Sequence, residues 1–247
     1  MKVILVGASG KIGRGVDKAV SVNHEVVRVG LADGDVQCDY TDPESVRRMF
    51  TTIGPYHALV SAVGDDSRFL PFEELADDDF RYGFERKFLS QIRLMTLGKP
   101  TIHDGGSFTL TSGFLSHYSN RRGIATGPFN GALETYVEHT ARFWPRGIRI
   151  NVVSPGPVVG PGRKGRGAVT SEQCAESYVQ AIEGTMTGRV LRVWGGFPVP
   201  ESRGAAIYGR RIEAAISNTR TGAAISNRRT PETPQGNQRT GERRRGD

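Results

Sequence analysis

Apolar and polar positions in the first 200 residues follow two periods, one typical of strands and one typical of helices. The short apolar runs Lys2–Val6 and Ala58–Val63 indicate buried strands, because a parallel strand covered on both faces has few polar positions. Between them Ile12, Val16 and Val20 recur at a spacing of four, which is the apolar stripe of a helix. The pattern therefore predicts strands that alternate with helices, and so parallel crossover connections.

The same alternation continues to the end of this region. Thr41-Asp42-Pro43-Glu44 has the composition of a helix start, since a capping residue is followed by proline and an acid. Further strands are predicted at Glu25–Val29, Ser107–Thr111, Arg149–Val153 and Arg189–Trp194, and helices at Asp77–Leu97, Asn130–Phe143 and Ser171–Glu183. The predicted fold class is α/β, with a single Rossmann-type doubly wound parallel sheet and helices on both faces.

The composition changes after Pro200. Residues 201–247 are rich in Gly, Arg, Ser, Thr and Asn, and they have too little apolar surface to offset the entropy cost of ordering. We therefore expect a dinucleotide-binding domain at residues 1–200 and a disordered tail at 201–247. Ten arginines and four acids in residues 202–247 account for six of the seven net positive charges, so the domain is nearly neutral. Nucleic-acid binding is not favoured, because Tyr208 is the one aromatic residue among these arginines.

Composition excludes other classes of protein. With 37% hydrophobic residues in 247, the chain is not wholly disordered. Its apolar runs are shorter than the roughly 18 residues of a membrane span, and the N-terminal run is too short for a signal peptide. Cys38 and Cys174 are too few for a disulfide framework or a metal cluster. We expect two free thiols, a cytoplasmic location and no metal.

A glycine-rich turn, Gly7-Ala8-Ser9-Gly10-Lys11-Ile12-Gly13, lies between the first predicted strand and the first helix. At this place Gly7 permits a tight turn, Gly10 lets the backbone approach a pyrophosphate, and Gly13 allows close packing of helix on strand. The helix N-terminus adds free N–H groups and a positive dipole end. The turn predicts dinucleotide binding; a glycine-rich turn without a ligand is the alternative.

With these motifs, residues 1–200 resemble the short-chain dehydrogenase/reductase family. The resemblance rests on the glycine turn and on four further segments, Cys38–Asp42, Ser61–Gly64, Thr109–Ser112 and Gly147–Pro157. It implies an NAD(P)-dependent oxidoreductase that acts on a small carbonyl or alcohol substrate. It also implies a homodimer or homotetramer built on the two long helices that carry residues 87 and 130.

The resemblance also implies which residues hold the cofactor. Asp39 would bind the adenine amino group with Tyr40 beside it, although a helix-capping role is the alternative for Asp39. The remaining predicted cofactor residues are Gly7, Ser9, Gly10, Lys11, Ile12 and Gly13 at the phosphates, Ser61, Ala62 and Val63 along the ribose and nicotinamide, and Pro155, Gly156 and Val158 in the nicotinamide pocket.

The choice between the two cofactors depends on the end of the second strand. An acid there would bind the ribose 2′-OH and favour NAD, whereas a cation would accept the 2′-phosphate of NADP. Asp33 comes a little late for the NAD acid, and Lys11 and Arg14 add positive charge near the phosphate turn. The sequence favours NADP and leaves NAD open.

The catalytic pattern of the family is only partly present. Ser112 matches the family serine, but the register set by Ala132-Leu133-Glu134 puts Thr126 at the tyrosine position and Asn130 at the lysine position. A threonine hydroxyl is a much weaker acid than a phenol, whose pKa is about 10. Lys87 stands where the family has an asparagine, so Lys and Asn have exchanged places. The chain resembles an atypical subgroup without the Tyr-x-x-x-Lys motif, and we predict a rearranged catalytic set.

That catalytic set is Ser112, Lys87 and Asn130. The alternative for Lys87 is a surface lysine on an amphipathic helix. His117 or Tyr118, in the loop after Ser112, would replace the tyrosine if the loop folds over the site; a surface histidine and a loop aromatic are the alternatives. A non-catalytic NAD(P)-binding protein, acting as a redox sensor or scaffold, is the competing function.

Overall fold

Seven parallel strands form one sheet in the order β3-β2-β1-β4-β5-β6-β7. The strands are β1 (Lys2–Val6), β2 (Glu25–Gly30), β3 (Val36–Gln37), β4 (Tyr56–Ser61), β5 (Ile102–Thr111), β6 (Arg149–Pro155) and β7 (Val190–Val193). The strand order reverses between β1 and β4, and open α/β sheets bind ligands outside the carboxyl ends of their strands at such a point.

The computed structural model describes residues 1–63, 69–118, 121–160, 165 and 167–199. Gly64 and the predicted tail at 201–247 lie outside these described residues. The boundary at residue 200 therefore stays a prediction. No helix in the described part of the chain is long and apolar enough to cross a membrane.

Helices cover both faces of the sheet, which confirms the predicted fold class. The helices are α1 (Lys11–Val20), α2 (Pro43–Ile53), α3 (Asp77–Gly83), α4 (Ser90–Gly98), α5 (Gly127–Thr140) and α6 (Ser171–Glu183). One core joins the sheet to α2, α4 and α5 through Phe50, Leu94 and Leu133. The other joins it to α1 and α6 through Val16 and Tyr178. Cys38 and Cys174 are free and buried.

The predicted elements differ from the structure mainly at their ends. β3 was not predicted, because two residues are too few to show a period. β4 begins and ends two residues earlier than the predicted strand Ala58–Val63, because the apolar residues Ala62 and Val63 leave the sheet at the carboxyl edge. The predicted helix Asp77–Leu97 is continuous from α3 to α4 but contains a π-helical turn, Phe84–Leu89.

Candidate active site

A cavity of about 650 Å³ opens at the carboxyl ends of the central strands. This volume lies in the range of sites for small molecules and cofactors. Its lining comes from separate segments of the chain, namely Gly10–Ile12 at the start of α1, Ala62 after β4, Thr111–Leu115 at the end of β5 and Pro155–Val158 at the end of β6, with Phe69, Lys87, Thr126 and Asn130.

The glycine turn gives this cavity an anion-binding end. Gly7 has a φ of +85°, and its N–H donates to the carbonyl of Val29 at 2.8 Å. A methyl group on Gly13 would lie 2.0 Å from the Gly7 carbonyl oxygen, so only glycine allows α1 to start this close to the turn. Gly10 is the N-cap residue of α1, and no side chain at this position binds the N–H groups of the first turn. The first turn of α1 also has no acidic residue. The N–H groups and the positive dipole end of α1 therefore fit a pyrophosphate.

Asp33 lies beside this turn although it follows β2 by three residues. Its carboxylate accepts a hydrogen bond from Ser9 Oγ at 3.2 Å. The loop folds back over Gly30, where an added methyl group would be 2.3 Å from the Asp33 carboxylate. Gly34, with a φ of +96°, lets the loop make this reversal. The structure thus places an acid close to the phosphate end, a position that its spacing in the sequence did not predict.

Asp39 does not cap α2. Asp42 is the cap, and its carboxylate accepts from the N–H groups of Glu44 and Ser45 at 3.0 and 3.1 Å. Asp39 instead accepts from the hydroxyl and the N–H of Thr41 at 2.6 and 2.9 Å. The Thr41 hydroxyl holds the pKa of Asp39 below its usual value, with a further contribution from nearby arginines. Asp39 is therefore an ionised acceptor at neutral pH.

The predicted cofactor residues fall into two groups. Ser61 is completely buried, and its carbonyl accepts from Thr111 Oγ1 at 2.6 Å, so it supports the strand ends rather than the cavity wall. The predicted residues that line the cavity are Gly10, Lys11, Ile12, Ala62, Pro155, Gly156 and Val158. Those outside its lining are Gly7, Ser9, Gly13, Asp39, Tyr40, Ser61 and Val63.

Lys87 is a buried residue of the cavity wall. Its side chain is 4% exposed, and Nζ donates to the carbonyl of Ser112 at 3.4 Å, so the surface-lysine alternative is wrong. Gln91 fixes this arrangement, because its amide donates to the carbonyls of Lys87 and Thr111 at 2.9 and 3.0 Å. The N–H of Thr111 donates back to Gln91 Oε1 at 2.9 Å.

The π-helical turn, Phe84–Leu89, explains how this lysine reaches the cavity. Asp79, Gly83, Lys87 and Gln91 are all buried and are spaced by four residues. In an α-helix of about 3.6 residues per turn, residues at this spacing drift around the helix axis. A wider π turn offsets the drift and keeps all four on the side facing the sheet, and such turns are frequent at functional sites.

Asn130 and Thr126 present buried polar atoms to the same cavity. Both residues are 2% exposed and lie at the start of α5. Within the described part of the chain, Asn130 Oδ1 and Thr126 Oγ1 have no hydrogen-bond partner. A buried polar atom without a partner costs about 1–3 kcal/mol. These atoms therefore fit a polar ligand group or water in the cavity, and the structure brings the three predicted catalytic residues Ser112, Lys87 and Asn130 together.

A buried polar network continues from the cavity wall. We call it the Ser112 network; it contains Ser112, Ser116, His117 and Glu134. Glu134 Oε1 accepts from Ser112 Oγ at 2.9 Å and from Ser116 Oγ at 2.8 Å. His117 Nδ1 lies 2.8 Å from Ser116 Oγ and 3.7 Å from Glu134 Oε2. His117 is 3% exposed, so the expectation of a surface histidine is wrong.

The sequence pattern predicts no role for Glu134 beyond the register of its helix. A signal for its role was present, because positions 126, 130 and 134 are spaced by four and share one face of α5.

Tyr118 does not line the cavity. Its ring contacts Trp194 and Phe197, and its hydroxyl donates to the carbonyl of Pro198.

The sheet order, the glycine turn and the cavity at the strand ends define a Rossmann-type dinucleotide-binding protein. A family model described as enoyl-(acyl carrier protein) reductase matches residues 11–192. The protein belongs to the short-chain dehydrogenase/reductase family, whose members are generally NAD(P)-dependent oxidoreductases. No curated protein sequence matches it significantly.

Solved structures share this fold. Protein lin1944 from Listeria innocua is 32% identical, covers 78% of this chain and 100% of its own, and has a TM-score of 0.73. A small-chain dehydrogenase in complex with NADPH is 26% identical, with coverages of 79% and 97% and a TM-score of 0.71. The enoyl-(acyl carrier protein) reductase of Anaplasma phagocytophilum in complex with NAD has a TM-score of 0.71 at 21% identity, with coverages of 82% and 93%, and supports the fold alone.

Proposed function

We propose that this protein is an NADP(H)-dependent oxidoreductase that interconverts a small carbonyl and the corresponding alcohol at a rearranged catalytic site. The observation that carries the proposal is that Ser112, Lys87 and Asn130 line the same cavity as the start of α1. The NADPH complex of a related small-chain dehydrogenase supports the choice of cofactor, and NAD remains the second candidate.

The cofactor would span the cavity from α1 to the end of β6. Gly10, Lys11 and Ile12 would hold the pyrophosphate with the N–H groups of the first helical turn. Ala62 would lie under the cofactor, and Pro155–Val158 would line the nicotinamide pocket. Asp39 and Tyr40 would bind the adenine from outside this cavity. A bound nicotinamide supplies or accepts the hydride.

Three residues would act on the substrate. Ser112 would form a hydrogen bond with the substrate oxygen. The Lys87 ammonium, held 3.4 Å from the Ser112 carbonyl, would stabilise negative charge on that oxygen and orient the cofactor ribose. Asn130 would bind the ribose or an ordered water through its Oδ1, which has no hydrogen-bond partner in the described residues.

The absence of the Tyr-x-x-x-Lys motif places the protein, in our proposal, in an atypical subgroup of the family. Thr126 and Asn130 stand at the two motif positions. A homodimer or homotetramer built on the two long helices that carry Lys87 and Asn130, and a disordered arginine-rich tail at 201–247, complete the proposal.

The proposed function predicts that the purified protein binds NADPH. Nicotinamide fluorescence should change saturably on titration with NADPH, and less tightly with NADH. Adding 4-nitrobenzaldehyde, an uncharged activated carbonyl, should then oxidise the bound NADPH, and Ser112→Ala should abolish that oxidation while keeping the binding. Failure to bind either nucleotide would contradict the proposal.

Asp33 should lower the preference for NADPH over NADH. Its carboxylate lies next to the phosphate turn and would repel a 2′-phosphate, with an energy of about 1 kcal/mol at exposed sites. Asp33→Asn should therefore raise the ratio of NADPH to NADH affinity roughly fivefold. Asp35→Asn is the matched control, since that carboxylate in the same loop is turned to Arg28. An unchanged ratio in both variants would mean that Asp33 does not face the adenosine ribose.

A non-catalytic NAD(P)-binding protein is the second candidate. It is favoured by the Ser112 hydroxyl, whose hydrogen bond goes to the Glu134 carboxylate and not into the cavity. Tight nucleotide binding without oxidation by any member of a carbonyl panel would support this candidate over the oxidoreductase.

A further inference from the structure

The direction of the Ser112 hydroxyl depends on the protonation of Glu134. Ser112 Oγ has one proton, and within the part of the chain that the structure describes it forms hydrogen bonds with Glu134 Oε1 at 2.9 Å and with the Val153 carbonyl oxygen at 3.5 Å. An ionised carboxylate and a carbonyl oxygen only accept hydrogen bonds. While Glu134 is ionised, the Ser112 proton therefore points away from the cavity.

Protonation reverses this arrangement. A protonated Glu134 donates its O–H to Ser112 Oγ, and the Ser112 proton is then free to turn towards the cavity that Ser112 lines. Glu134 is completely buried, and it meets the cavity through Ser112 because it is not part of the cavity lining itself. The carboxyl group can thus control whether Ser112 donates to or accepts from a ligand.

We propose that Glu134 is a positioning and proton-relay residue that acts through Ser112 and supplies the proton for carbonyl reduction. This inference rests on the proposed oxidoreductase function. It gives the site a proton source although Thr126 occupies the tyrosine position. Two hydrogen bonds connect Glu134 Oε1 to Ser116 Oγ and Ser116 Oγ to His117 Nδ1, and the distance between the two atoms is 2.8 Å in each.

The step balances in protons and electrons. The carbonyl carbon would take the hydride that a bound reduced nicotinamide supplies, and the C=O π pair would move to the oxygen. That oxygen takes the proton of Ser112 Oγ, while Ser112 Oγ takes the proton of Glu134 Oε1. The carbonyl is reduced, the nicotinamide is oxidised, and Glu134 is left as a carboxylate. It regains a proton from His117 through Ser116, and His117 from solvent.

Charged and titratable groups lie on the elements packed around α5. The segment after β5 contributes His117, and the π-helical turn contributes Lys87, whose Nζ binds the Ser112 carbonyl. On the side of β7, Arg192 lies 5.5 Å from the Trp194 ring, which packs against His117. β6 contributes the Val153 carbonyl. The His117 imidazole faces the carboxyl directly, with Nδ1 3.7 Å from Glu134 Oε2.

The first test needs no substrate. Infrared difference spectra of the full chain across neutral pH should contain the carbonyl stretch of a protonated carboxylic acid. That band should be absent in Glu134→Gln and retained in Glu138→Gln, an exposed glutamate one turn later on α5. A wild-type protein without the band, or a band that persists in Glu134→Gln, would overturn the proposal.

The second test measures the relay itself. Glutamine keeps a hydrogen bond to Ser112 but cannot release a proton, so Glu134→Gln should lower kcat for 4-nitrobenzaldehyde about 100-fold with little change in KM. The pH dependence of kcat should be lost in this variant. Ser116→Ala, which breaks the path to His117, should lower kcat at high pH more than at low pH.

The outcomes separate this inference from the proposed function. If the wild type binds and oxidises NADPH but Glu134→Gln keeps its kcat and its pH profile, the relay alone is wrong. If the wild type binds no nucleotide, the proposed function fails and the relay fails with it, whatever the infrared band indicates about Glu134.

Discussion

Lys87→Met is expected to lower kcat/KM for NADPH-dependent reduction about 100-fold, the typical effect of removing one group that stabilises a developing oxyanion. The ammonium is buried in the cavity wall and is held at the Ser112 carbonyl, so it acts in a region with little water to screen it. Methionine keeps most of the volume and removes the charge together with the hydrogen bond to the Ser112 carbonyl. The affinity for NADPH, measured by nicotinamide fluorescence, should also fall.

Methionine leaves the Ser112 carbonyl without this donor, so the midpoint of urea unfolding should decrease. Kinetics and binding are therefore compared well below the unfolding transition. Lys99→Met, at an exposed lysine directly after α4, is the matched control and should leave both kinetics and binding unchanged. Wild-type affinity and turnover in Lys87→Met would refute a role for this residue in the site.

Gly13→Ala is expected to damage both stability and nucleotide binding. The added methyl group would lie 2.0 Å from the Gly7 carbonyl oxygen and 2.8 Å from that of Ala8. Both are backbone atoms, which cannot move aside as a side chain would. The turn must therefore shift, and overpacking of this kind costs about 1–3 kcal/mol. A shifted turn also misdirects the N–H groups of α1, and each hydrogen bond to a charged group contributes about 1.5–3 kcal/mol.

Two measurements separate these effects. Urea unfolding without nucleotide should give a lower free energy of unfolding, and titration well below the unfolding transition should give at least a roughly tenfold rise in the Kd of NADPH. Gly160→Ala is the control for stability, because a methyl group there meets no atom of the described residues within 4 Å. If Gly13→Ala bound NADPH as the wild type does, the glycine turn would not be the phosphate site.

Local patterns were sufficient for the fold because each depends on residues close in sequence. The runs Lys2–Val6 and Arg149–Val153 and the capped helix after Asp42 lie where the patterns predict them. Errors fall where tertiary contacts override the pattern. The π-helical turn at Phe84–Leu89 is an example, since Gln91 binds the end of β5 and holds the helix face there.

The residues of the site also fall into two groups, those that local patterns predict and those that only the fold brings together. The doubly wound sheet and the glycine turn at the start of α1 follow from residue type and short spacing, and the structure confirms both. The assignment of Thr126 and Asn130 to the tyrosine and lysine positions rests on spacing as well and stays a prediction. Tertiary contacts bring Asp33 beside Ser9 and join Ser112 to His117 through Glu134. These contacts join residues 17 to 24 positions apart across the carboxyl edge of the sheet, and no local period encodes which side chains meet there.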